Sequence, residues 1–158
     1  MSILTLRLLL LVIHISGLVL IAGSTVTRWM VFRAFVKSVA TIRQESTSLL
    51  KILDGLGAMF RLGAIVLVLS GIGLMWITQG VYLHQLWLQI KLWLILLLPL
   101  TEVLVGNRQL KKLDTAFSEI DADVDSIVRA AVPKLNMSYA AQLLLFLAII
   151  SLAIFKIN

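Results

Sequence analysis

Four stretches of this chain are apolar for long enough to leave water altogether, at about residues 3–26, 57–77, 84–105 and 138–156. A membrane-crossing helix needs roughly 20 apolar residues, with a lower limit of about 17. The second stretch is short as an uncharged run, Leu62–Trp76, but it extends back through Leu56–Arg61, where an arginine can snorkel. In lipid the backbone must satisfy its own hydrogen bonds, which leaves helices for runs of this kind. The fold expected is all-α: a single domain of four transmembrane helices joined by two amphipathic connections at about 27–56 and 106–137. A hydrophobic fraction of 60% and a mean hydropathy of +1.03 agree with that class. The first run exceeds the ~7–15 residues of a secretory h-region, so it reads as a retained span.

One of the four runs carries charge. Leu83–Arg108 reads LHQLWLQIKLWLILLLPLTEVLVGNR, and His84, Lys91, Leu98 and Glu102 fall near one stripe of a regular helix. An ionisable group deep in a bilayer costs several kcal/mol unless it faces protein, a partner or a cavity. Lys91 and Glu102 are therefore expected to point into the bundle. They lie ~16 Å apart along a regular helix, too far for a direct pair. Glu102 has Arg28 and Arg108 as candidate partners, in a structural role. Lys91 has none nearby in sequence and calls for an anion, such as a ligand carboxylate.

The net charge of +6 is unevenly placed. Arg28, Arg33, Lys37, Arg43 and Lys51 sit in the first long connection, and Arg108, Lys111, Lys112, Arg129 and Lys134 in the second. The other side holds Arg7, Lys156 and an uncharged link near Gln79–Gln85. The positive-inside rule puts both connections in the cytoplasm and both termini outside it, in a bacterial inner membrane. The basic excess is an orientation signal and not a nucleic-acid footprint. With no cysteine, disulfides, thiolate metal sites and cysteine nucleophiles are excluded.

In the first span Arg7, His14, Ile21 and Arg28 repeat every seven residues, with Gly17 and Ser24 beside that line. His14 is then a mid-membrane histidine on a small-residue interface: a cofactor ligand, a proton-relay group or a buried hydrogen-bond anchor. The apolar period continues through Val31, Phe35 and Val39, so the first helix should run to about Arg43, with a polar turn at Gln44–Thr47. Asp54-Gly55-Leu56-Gly57 reads as a turn leading into the second span, whose Gly63, Ser70, Gly71 and Gly73 suit close packing. Residues 114–132 pattern as an amphipathic helix with Asp114 as N-cap and Pro133 as its stop. Asp121, Asp123 and Asp125 lack the glycine and closing glutamate of a calcium loop. The fourth span, with Tyr139, Gln142 and Ser151, reads as a packing helix. Both halves follow one plan of span, connection and span, consistent with a parallel repeat.

His14-Ile-Ser-Gly17, followed by Gly23, and Trp87-Leu-Gln-Ile-Lys91-Leu-Trp-Leu-Ile-Leu together resemble a group of small four-span bacterial membrane proteins. That group includes the HemJ-type protoporphyrinogen oxidases, the CopD-like copper-resistance domains and relatives of unknown function. In HemJ-type proteins a first-span histidine and a third-span lysine are functional and haem b is bound. The resemblance places those roles on His14 and Lys91. The Pro-Arg and second histidine that follow the first span in HemJ-type proteins are replaced here by Thr27-Arg28 and Arg33.

The leading expectation is a haem b- or porphyrin-binding membrane protein. His14 would be the axial metal ligand, Lys91 would neutralise a propionate, and His84 would be a weaker second cofactor ligand. As an enzyme it would use His14 and Lys91 to oxidise a porphyrinogen, with quinone as electron acceptor. The alternative is a non-catalytic membrane subunit or scaffold, self-associating or held to another membrane protein through its helices. Copper transport is the weakest reading, because the five methionines form no stripe.

Overall fold

The computed structural model describes residues 2–39, 43–81, 84–118 and 124–155. Among these, helix α1 spans Ile3–Ser38, α2 Arg43–Ile77, α3 Leu86–Thr101, α4 Asn107–Ser118 and α5 Val124–Phe155. A π-helical turn, Glu102–Gly106, joins α3 to α4 without a break. Four of the resulting helical segments are long and apolar enough to cross a membrane. Their apolar side chains also cover the outside: Val19, Leu69, Trp93 and Leu144 are each more than 60% exposed. A water-facing surface would be polar at such positions, so this surface is suited to an apolar surrounding.

α1 and α2 form the tightest pair, set by two glycines. A Cβ on Gly17 would lie 3.0 Å from the Leu67 amide nitrogen and 3.1 Å from the Gly63 carbonyl oxygen. A Cβ on Gly63 would lie 2.8 Å from Ile21 Cγ1. Backbone meets backbone there, and small residues let the two helices approach.

The core has two parts. One gathers Phe32 and Phe35 of α1, Leu50 and Leu53 of α2, Leu113 of α4 and Leu135 and Tyr139 of α5. These are the apolar faces of the two connections, turned towards each other and the helices they extend. Burying a Leu or Phe from water contributes about 1.5–3 kcal/mol. The second part, Ile21, Phe60, Leu67, Leu98, Phe146 and Ile149, lies within the four apolar segments. α3 packs on α5 and stands off α1 and α2, which leaves a cleft between the α1–α2 pair and the α3–α5 pair.

Several local expectations give way to packing. The turns expected at Gln44–Thr47 and Asp54–Gly57 are absent, since α2 runs unbroken from Arg43. Each mid-helix glycine costs about 1 kcal/mol relative to alanine. Leu53, Gly57, Phe60, Gly63, Leu67 and Ser70, a continuous 3–4 stripe of α2, are all buried, and this contact outweighs the turn propensity. Pro133 does not stop a helix but lies exposed inside α5. Asp114 is not an N-cap but an exposed residue inside α4. The first helix ends at Ser38, short of Arg43. Glu119, Ile120, Asp121 and Asp123 lie outside the described residues.

Candidate functional site

The seven-residue line of α1 is the inner face of the bundle. Gly17, Ile21, Ser24 and Arg28 are buried and His14 is half-buried. On α3, Lys91 is half-buried, Leu98 buried and Glu102 only 1% exposed. The inward stripe of the third run thus holds for Lys91, Leu98 and Glu102. It does not hold for His84, which is exposed in the turn before Gln85, the N-cap of α3.

Two cavities occupy the cleft and share His14 and Lys91 in their walls. The first, about 290 Å³, is closed by Phe60, Leu98, Phe146 and Ile149 and is otherwise apolar. The second, about 510 Å³, runs between α2 and α3 past Gly71 and Ile95 to Arg7, Thr78 and Trp87. Volumes of about 300–1,000 Å³ are those of small-molecule and cofactor sites. Arg7 and Lys91 both line the larger cavity, and no acidic side chain lines either one. Lys91 makes no ion pair among the described residues. Among the described residues the cleft is therefore apolar, lined by basic side chains and without an internal counter-ion.

His14 is held in a defined way. Its Nδ1 lies 3.0 Å from Ser70 Oγ. The Ser70 hydroxyl donates to the Val66 carbonyl at 2.6 Å and reaches the Leu67 carbonyl at 3.1 Å. A hydroxyl has one proton. With that proton on the backbone, Ser70 Oγ accepts from Nδ1–H, and the lone pair is left on Nε2. Gly71 makes room for the ring, since a Cβ there would lie 3.4 Å from His14 Cε1. An imidazole whose Nδ1–H is fixed by a neighbour is the usual form of a histidine ligand.

At the far end of the stripe lies a second polar constellation. Arg28 Nη1 donates to Glu102 Oε1 at 2.5 Å. Gln142 Nε2 of α5 donates to Glu102 Oε2 at 3.1 Å. The Arg28 guanidinium carbon sits 5.7 Å from the Tyr139 ring centroid. Glu102 folds back over Gly106, where a Cβ would come within 2.7 Å of Oε2. The π turn and this glycine together make the space for the carboxylate. The constellation joins α1, the π turn and α5, and neither Arg28, Glu102 nor Gln142 lines either cavity.

The sequence drew attention to His14, Lys91 and Glu102, with Arg28 or Arg108 as the partner of Glu102, and the structure gives it Arg28. It missed Ser70, which read only as a small packing residue, and the burial of Tyr139 and Gln142. The signal for the last two was present: Tyr139, Gln142, Phe146 and Ile149 recur at helical spacing, and all four are buried.

The donor set narrows what the cleft can hold. Among the described residues no three His, Asp or Glu side chains gather as a metal site. His14 alone can bind a metal only if the metal brings its remaining ligands with it, as a macrocycle does. The chain matches no family model, no curated protein and no solved structure.

Proposed function

We propose that this chain is a multi-pass protein of a bacterial inner membrane that binds haem b or a related tetrapyrrole carboxylate in the cleft between α1–α2 and α3–α5. In this reading the two basic connections are cytoplasmic and the termini lie on the other side. The observation that carries it is the pairing of a Ser70-oriented His14 with two cations, Lys91 and Arg7, on one apolar cavity with no acidic wall. A tetrapyrrole with two propionates would match that pattern: an apolar plate, two negative charges and, where iron is bound, a metal that a histidine could hold. His14 Nε2 is the residue for the metal, and Lys91 and Arg7 are the residues for the carboxylates. His84 has no part in this assignment, because it is exposed and lines neither cavity.

Bound haem would supply one-electron chemistry. The chain's own contributions are binding, orientation and the exclusion of water by Leu67, Leu98 and Phe146. The resemblance to HemJ-type proteins adds porphyrinogen oxidation with quinone as acceptor as the reaction to assay once binding is established. A free apolar face on the connections would favour the scaffold alternative, and those faces are packed against each other in the first core.

The test is an absorption spectrum of the protein purified in mild detergent, oxidised and dithionite-reduced, beside His14→Ala and Lys91→Ala. A Soret band with a b-type α band on reduction, lost in His14→Ala and weakened in Lys91→Ala, is the expected result. A folded protein that stays colourless after haem is supplied and does not bind metal-free porphyrin would overturn the reading.

A further inference from the structure

Charge is left over beside the Arg28–Glu102 pair. Arg28 is wholly buried and gives only Nη1 to Glu102, while its Nε and Nη2 have no hydrogen-bond partner among the described residues. α2 passes this point with Gly57. The position a Cβ would take on Gly57 lies 3.6 Å from Arg28 Nη2 and 3.7 Å from Nη1 of Arg61. Arg61 makes no ion pair among the described residues. Two guanidinium groups therefore converge on one glycine with a single carboxylate, Glu102, on the far side of Arg28.

Like charges so placed repel unless an anion bridges them, most of all where water is scarce. Guanidinium forks match the oxygens of a phosphate, and two forks on one phosphate is a recurring geometry of recognition. Arg28 is the fixed half, held by Glu102 and Tyr139. Arg61 is exposed and is the movable half. A side chain at position 57 would stand in van der Waals contact with both guanidinium groups.

We propose that Arg28 and Arg61 bind a phosphate group over Gly57. In the orientation proposed above, both residues stand at the cytoplasmic ends of their spans, level with lipid headgroups. The phosphate comes from an anionic lipid of that leaflet or from free phosphate. The site is independent of the tetrapyrrole reading, since Arg28, Gly57 and Arg61 line neither cavity of the cleft.

The experiment is the unfolding midpoint of the full chain in neutral detergent, followed by tryptophan fluorescence during titration with phosphatidylglycerol, diacylglycerol or inorganic phosphate. Phosphatidylglycerol is expected to raise the wild-type midpoint saturably, and diacylglycerol is not. Arg61→Gln should need about tenfold more lipid for the same rise, the loss of one charge-assisted contact. Gly57→Asp places a carboxylate between the forks. It should raise the ligand-free midpoint and abolish the response. An equal saturable rise with inorganic phosphate assigns the site to free phosphate, and its absence assigns it to lipid. No rise in the wild type, an equal rise with diacylglycerol, or an undiminished response in Arg61→Gln overturns the proposal. If Gly57→Asp does not fold, Arg61→Gln alone decides.

Discussion

Arg28 of α1 and Glu102 of the π turn meet at 2.5 Å with both side chains 1% exposed, and Gln142 of α5 holds the second carboxylate oxygen. Two contacts on one carboxylate thus connect α1, the π turn and α5. A buried pair of this kind is weak evidence of net stabilisation, because desolvation offsets most of the attraction. Removing one member, however, leaves the other charge buried and alone.

Arg28→Met and Glu102→Met should therefore each destabilise the protein by roughly 3–5 kcal/mol. The double variant should be more stable than either single one, since no orphan charge remains. Unfolding midpoints in detergent for the complete cycle give the coupling. Singles that add to give the double would show that the two residues do not act as a pair.

The glycines divide into two classes by what a methyl group would meet. At Gly17 a Cβ would meet the backbone of α2, and at Gly63 it would meet Ile21 and Leu20 of α1 at 3.0 Å or less. At Gly23 and Gly55 nothing lies within 4 Å. Gly17→Ala and Gly63→Ala should lower stability by about 1–3 kcal/mol through overpacking. Gly23→Ala and Gly55→Ala should raise it by about 0.4–1 kcal/mol, because alanine restricts the unfolded chain at no cost to the folded one. Thermal unfolding of the four variants checks both signs.

The four helices were legible in the sequence because run length and hydropathy depend on composition alone. The inward line of His14, Ile21 and Arg28 was legible because seven residues bring a helix nearly back to one face. Glu102 has Arg28 and Arg108 as candidate partners in the sequence, and the fold brings Arg28 to it. What escaped is what depends on neighbours. Gly55 and Gly57 signal a turn in isolation, but α2 keeps its helix through them because its buried stripe packs on α1. Pro133 signals a stop in isolation, yet Leu135 and Tyr139 beyond it and Val128 and Ala131 before it share one core and hold α5 together. His84 fell on the helical stripe only if α3 began before it, and α3 begins at Leu86.

Pro133 then becomes a site for a gain in stability. It is exposed within α5, where a proline removes a backbone hydrogen bond and is about 3 kcal/mol less favourable than alanine. Pro133→Ala should restore that bond and stabilise the protein by about 1–3 kcal/mol. A lower unfolding midpoint would mean that the ring makes a contact essential to α5.

The contact between Ser70 and His14 separates a ligand histidine from a packing one. Ser70→Ala leaves the imidazole and its Nε2 in place but removes the acceptor that fixes Nδ1–H at 3.0 Å. Loss of such a supporting contact lowers metal affinity by about 10–100-fold. Haem titration followed at the Soret band should show a loss of that size in Ser70→Ala, with the band still present at saturation. Ser70→Thr, which keeps the hydroxyl, should recover most of the affinity. If Ser70→Ala instead lowers only the unfolding midpoint and leaves haem affinity unchanged, the hydrogen bond serves helix packing alone, and His14 is an anchor between α1 and α2.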